Sequence, residues 1–274
     1  MTIELRAEGI SKSFGSRRGG GAARKAVDDV TVAVRPGDFT AIVGESGSGK
    51  STVARMLLGL MAPDSGEVTF DGVPLRSMTR AQRMAFRSSV QCVLQDPSAA
   101  LNPRKTVRQA IAEVVRLHGR ARRSDDVDAK VDEALASVEL LPTDTYAERY
   151  PHQLSGGQRQ RVLIARALIL DPAIIIADEA VSALDVAVKA GILNLLEDLR
   201  RRRDIGYLFI THDLPVVKKV AAETYVMRSG RVVEHAPTKQ LFADPATAYT
   251  AELLGAAPVL DPAEARRWLS SAPV

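Results

Sequence analysis

Gly44–Thr52 reads GESGSGKST, and this stretch decides the fold. It satisfies the spacing Gly-x4-Gly-Lys-Ser at Gly44, Gly49, Lys50 and Ser51. The apolar run FTAIVG precedes it and the periodic STVARMLLGL follows, so the order is strand, glycine loop, helix. Glycines let the backbone wrap an oxyanion and turn its N–H groups inward, and the helix start adds a favourable dipole. A lysine neutralises terminal phosphates and the following hydroxyl can ligate magnesium. The candidate phosphate contacts are therefore Gly44, Glu45, Ser46, Gly47, Ser48, Gly49, Lys50, Ser51 and Thr52.

Outward from this loop, Thr2 to Phe14 reads as a strand, followed by GSRRGGGAARK, whose glycines and arginines cannot pack. VDDVTVAV alternates as a strand, and DSGEVTFDGVPL reads as a hairpin. From about Gln95 to about Ala165 apolar residues recur at helical spacing, which predicts an inserted helical subdomain at about 96–164. Strand-like runs return at AIIIAD and GYLFITHD with the helical KAGILNLLEDLRRRR between them. That alternation predicts a parallel sheet covered by helices. From about Pro237 the proline- and alanine-rich sequence reads as a peripheral tail.

Composition narrows the function classes. The net charge of +4 is mild, and basic runs such as Arg200–Arg203 and Arg120–Arg123 are short, as at solvated helix ends. With 4% aromatic residues no base-stacking surface is expected, and nucleic acid is not a predicted partner. The one cysteine, Cys92, excludes a disulfide framework and a cysteine-built metal site. The N-terminus shows no charged-then-apolar leader and no run is long enough to span a bilayer, which predicts a soluble cytosolic chain.

Two further motifs carry chemistry. IIIADEA, Ile174–Ala180, is a strand ending in adjacent carboxylates, whose directions differ because neighbours on a strand alternate. Asp178 is placed to hold magnesium and Glu179 to act as general base on an attacking water. Gln95 would reach the magnesium or that water, and His212, at the end of FITHD, would contact the terminal phosphate. The remaining histidines, His118, His152 and His235, receive no role. LSGGQ, Leu154–Gln158, is a second glycine-bearing helix start. Its Ser155 hydroxyl and the backbone at Gly156 and Gly157 can either cap the helix or bind another anion.

Phosphate loop, Gln95, LSGGQ, the Asp178–Glu179 strand, SALD at Ser182–Asp185 and His212 stand in an order and spacing that resembles the ATP-binding subunit of an ABC transporter. The resemblance implies an α/β fold, a P-loop NTPase core of RecA-like, ABC type with an antiparallel β subdomain and an inserted α-helical subdomain. It implies a cassette over residues 1–236, an extension over 237–274, ATP and Mg2+ as cofactors, and hydrolysis coupled to transport. It also implies that two cassettes meet head to tail. Ser155, Gly156, Gly157, Gln158 and Asp185 would then close over a nucleotide held by the partner's phosphate loop. Phe14, which its surroundings alone would make a core residue, would stack on adenine.

The implied partners are a second cassette, a related chain or another copy, two integral membrane permease subunits and, indirectly, an extracytoplasmic solute-binding protein. The implied place is the cytoplasmic face of the membrane, with a permease docking around Gln95 to Arg104. AVDDV, VGESGSGKST and QDPSAALNPRKTV resemble the branch that imports peptides and nickel. RAQRMAFR, ALNPRKTVRQ and DEAVSALD lean toward nickel or chelated metal, whereas FADPATAYTAELLGAAP resembles the end of peptide-type subunits. A soluble ABC ATPase is the remote alternative, disfavoured because the chain shows neither two cassettes nor a long coiled-coil insertion.

Overall fold

The computed structural model describes residues 3–15, 24–93, 100–119, 123–182 and 184–256. Ten strands and ten α-helices are formed among them. Six strands make one sheet in the order β10-β9-β3-β8-β7-β6, here β3 Phe39–Val43, β6 Val90–Val93, β7 Ile174–Asp178, β8 Gly206–Ile210, β9 Glu223–Arg228 and β10 Arg231–Pro237. Pairing is parallel except at β10 on β9. Every residue of β3 and β8 is buried, which is why these segments read as unbroken apolar runs: both faces of the sheet are covered.

The period-two alternation of the strands divides the sheet between two cores. Ile174, Ile176, Leu208 and Ile210 face one side with Val53, Met56 and Leu57 of α1 (Lys50–Leu57). The same cluster takes in Leu5, Ile10, Val27, Val30 and Val32. Those belong to a four-stranded antiparallel sheet, β2-β1-β4-β5, built from β1 Leu5–Phe14, β2 Arg24–Val34, β4 Ser65–Phe70 and β5 Val73–Pro74. Ile175, Ala177, Tyr207 and Phe209 face the other side. There they meet α7 (Val186–Arg203) and the helical region, α3 Val107–Leu117, α4 Ser124–Ser137, α5 Thr143–Ala147 and α6 Gly156–Leu168.

Three features differ from the sequence reading. Arg24 and Lys25, assigned to the loop after Phe14, begin β2 and pair with Phe14 and Ser13 respectively; residues 16–23 of that loop lie outside the described residues. Helix α2 (Arg80–Ser89) was not foreseen, because Phe86 is its one buried residue and no apolar stripe announces it. Beyond Pro237 the chain is not peripheral as far as residue 256. After α8 (Leu214–Val220) packs on the sheet, α9 (Thr238–Ala243) and α10 (Ala248–Gly255) add Leu241 and Tyr249 to a third core with Ala41, Val43, Val217 and Val226.

The arginine run Arg200–Arg203 closes α7 as a solvated helix end. Arg200 and Arg201 pair with Glu197, Arg202 with Asp198, and Arg203 with Asp171 and Glu133. All its charges are therefore engaged within the chain, as expected for a helix C-terminus.

Candidate nucleotide site

The carboxyl ends of the parallel strands converge, the place where open α/β sheets bind ligands. β3 runs into the glycine loop, β7 into Asp178 and Glu179, and β8 into Thr211 and His212. Two glycines are fixed by close backbone approach. A Cβ at Gly44, where φ is 147°, would lie 2.1 Å from the Met227 carbonyl oxygen. A Cβ at Gly49, where φ is 109°, would lie 2.4 Å from the Ala26 carbonyl oxygen. The loop is thus wedged between the start of β2 and the end of β9, and Gly230 N–H donates to the Ser48 carbonyl at 2.9 Å.

Gly49 opens α1 without any side-chain cap, which leaves the helix start to be filled by a ligand. Lys50 folds back over the loop, its Nζ donating to the carbonyls of Gly44 at 2.8 Å and Glu45 at 2.7 Å. Burial lowers the Lys50 ammonium from its ordinary range, partly offset by Glu179, Asp178 and Glu45. A phosphate beside it would restore the charge it favours in water.

The two carboxylates take separate partners. Ser51 Oγ donates to Asp178 Oδ1 at 3.3 Å. Burial pushes the Asp178 carboxyl above the usual range, with Glu179 adding to the rise while Ser51, Lys50 and Arg55 oppose it. Glu179 Oε1 lies 3.2 Å from His212 Nδ1. Glu179 sits at φ 50°, a conformation uncommon for a non-glycine residue. It is held there by its N–H on the Ile210 carbonyl at 2.8 Å and by Ser182, whose N–H and hydroxyl both donate to the Glu179 carbonyl. Such a constrained turn aims a side chain.

A cavity of about 800 Å³ lies over the loop, lined by Phe14, Glu45 through Thr52 and Glu179. Phe14 is 46% exposed, so it is not a core residue but an open aromatic face at the cavity mouth. Sequence reasoning missed Arg24, Lys25, Arg228, Ser229 and Tyr249, which complete the wall. No local pattern marks them, since they come from chain segments far from the loop. Gln95 and the first part of the Gln95–Arg104 docking region lie outside the described residues.

Ser155, Gly156, Gly157, Gln158 and Asp185 do not line this cavity. They form a second cluster. A Cβ at Gly157 would meet Val188 Cγ1 at 2.4 Å, and one at Gly156 would meet Leu184 Cδ2 at 3.6 Å, so LSGGQ rests on the start of α7. Asp185 caps that helix through the Val188 N–H at 3.0 Å. Ser155 Oγ accepts from the Gln158 N–H at 3.3 Å, and Gln158 Oε1 accepts from the Ser155 N–H at 3.0 Å, a capping box.

Ser51 and Asp178 fit a hard divalent cation: both offer oxygen, and a desolvated carboxylate held above its usual range favours a cation beside it. Among the described residues no group of three or more His, Cys, Asp or Glu could hold a metal, so such an ion would depend on phosphate and water for its other ligands.

Residues 27–182 match the ABC transporter family model. The chain is 46% identical over 241 residues to the glutathione import ATP-binding protein GsiA of Salmonella paratyphi A and to that of Escherichia coli K12. The match takes in 88% of this chain and 38% of each relative, so the chain spans well under half the length of these relatives. Among solved structures, cbiO1 from Clostridium perfringens, part of the ABC transporter complex cbiONQ, superposes with a TM-score of 0.76 at 28% identity. That superposition covers 89% of this chain and 92% of cbiO1. The ATP-binding cassette MJ0796, a dimer in a post-hydrolysis state bound to ADP and Pi, gives a TM-score of 0.74 at 28% identity over 85% of this chain and 98% of that one.

Proposed function

The chain belongs to the ABC transporter family as an ATP-binding cassette, and we propose from this that it binds and hydrolyses ATP to drive import of a small peptide-like solute. The observation that carries the chemistry is the division of labour at the end of β7: Asp178 turns to Ser51, and Glu179 turns to His212. The phosphates lie against the N–H groups at the start of α1, with Lys50 turning from the loop carbonyls to their terminal charge. Ser51 and Asp178 would hold a magnesium ion, which would neutralise charge on the phosphates. Glu179 takes the proton of the attacking water, and His212 fixes its carboxylate. Phe14 stacks on the adenine face. Gln95 is proposed to reach the same water or ion.

The signature cluster at Ser155–Gln158, with Asp185, is proposed to serve a second nucleotide, held by a partner cassette. That it shares no cavity with the phosphate loop of its own chain supports this. The partner is a related chain or a second copy, and two permease subunits complete the transporter at the cytoplasmic face of the membrane. No described helix is long and apolar enough to cross a membrane.

For the solute, relatives named for glutathione import support the peptide branch over nickel or chelated metal. The departures at Ala180 and Val181 that lean toward nickel are 4% and 1% exposed. They pack in the core and can read no solute. Uptake of labelled glutathione, a labelled dipeptide and radioactive nickel, compared in cells with and without this chain, tests the assignment. Loss of peptide uptake is expected, and loss of nickel uptake alone would overturn the solute class while leaving the ATPase reading in place.

A further inference from the structure

Part of the cavity wall, Arg228, Ser229, Gly230 and Tyr249, comes from beyond the residues that match the family model, and Tyr249 from the segment after Pro237. Tyr249 is 6% exposed, and its hydroxyl accepts from the backbone N–H of Glu45, the second residue of the phosphate loop, at 3.4 Å. Its ring carries the Arg228 guanidinium 4.5 Å above the centroid, and Arg228 also lines the cavity. A cation stacked on an aromatic face is held in place while its N–H donors remain available to an anion.

The segment is firmly anchored. Glu234 on β10 accepts from the N–H groups of Ala246 at 2.8 Å and Thr247 at 3.0 Å, and from the Thr247 hydroxyl at 3.0 Å. Thr247 in turn caps α10 through the Thr250 N–H at 3.1 Å. Thr250 is fully buried, so the first turn of α10 cannot rotate Tyr249 away from the loop without unpacking the third core. β10 and the turn before it are tied to the same loop, since Gly230 donates to Ser48. The C-terminal helix and the phosphate loop therefore form one braced unit across about two hundred residues of sequence.

We propose that Tyr249 is a positioning residue of the nucleotide pocket: through the Glu45 amide it sets the backbone that receives the phosphates, and through its ring it presents Arg228 to the anionic ligand. The inference rests on the ATP reading above and adds a nucleotide-contacting wall to it. Tyr249→Phe keeps the ring and Arg228 and removes only the hydroxyl. It is expected to raise the Kd for MgATP, read with a fluorescent ATP analogue on the full chain, about threefold. KM should rise with it while kcat stays within about twofold, and the Tm of the nucleotide-free chain should hold. Arg228→Gln, which leaves Tyr249 in place, should weaken ATP binding by a similar factor. A Tyr249→Phe chain that binds MgATP as wild type does overturns the proposal, as does a lowered Tm with unchanged Kd. If the wild-type chain itself fails to bind MgATP, the functional reading falls and this inference with it.

Discussion

Two helix starts in this molecule look alike in sequence and are finished in opposite ways. At α1 a glycine in left-handed conformation opens the helix with no side chain capping it, and the backbone is pinned from outside by Met227 and Ala26. At α6 Ser155 and Gln158 satisfy each other's N–H groups, and the same reciprocal cap, there with Thr79 and Gln82 and with Thr106 and Gln109, begins α2 and α3. The first start has no side chain on its donors; at the second the Ser155 hydroxyl takes the Gln158 N–H, and Ser155 and Gly156 are exposed. A helix N-terminus rich in glycine is therefore not by itself a phosphate site. What separates the two is whether a side chain of the helix caps its own start, and by that measure α1 is the start proposed to hold nucleotide and α6 the one proposed to offer its exposed face to a second molecule.

The comparison can be broken most sharply at Glu179. Glu179→Gln should lower ATP turnover by about a hundredfold or more while ATP binding stays near wild type, measured by phosphate release and by nucleotide titration. Turnover close to wild type would remove Glu179 from the chemistry. Lys50→Ala should weaken ATP affinity about tenfold or more, because it deletes the one buried ammonium beside the open helix start.

A smaller effect is expected at the self-capped start. Ser155→Ala should cost about 1 kcal/mol of stability by denaturant titration. The same change at an uncapped α1 has no counterpart. Unchanged stability would mean that the box contributes nothing. The smallest effect concerns Asp178. Its carboxyl is held above the usual range, so the folded chain binds a proton there more readily than the unfolded chain does. The resulting cost is absent in acid, where both states are protonated, and grows as pH rises from about 4 through the raised folded value. Asp178→Asn should therefore raise the Tm of the nucleotide-free chain at neutral pH by about 2 °C and reduce its pH dependence, while weakening magnesium-dependent ATP binding. A lower Tm would contradict the desolvation argument.

The legible parts of the molecule were those written in short spacing. The phosphate loop, the strand ending in Asp178 and Glu179, and the strands read at AIIIAD and GYLFITHD depend on near neighbours, and the structure places them together at the carboxyl edge of one sheet. Helix α2 escaped because Phe86 alone is buried; the Thr79 and Gln82 box was the available signal. The Arg228 and Tyr249 wall escaped for a different reason. Its residues reach the loop only when β9, β10 and α10 fold onto the sheet, and nothing local distinguishes Tyr249 from a core tyrosine. Phe14, which its own neighbours in sequence would make a core residue, is exposed and lines the cavity.

The central claim is that the open helix start and the capped one act on one nucleotide only across two chains. Turnover per chain, followed as protein concentration is lowered with the oligomeric state read in the same samples, tests it most directly. The account predicts that hydrolysis falls away as pairs dissociate into single chains. A monomer that hydrolyses ATP at an undiminished, concentration-independent rate would contradict it.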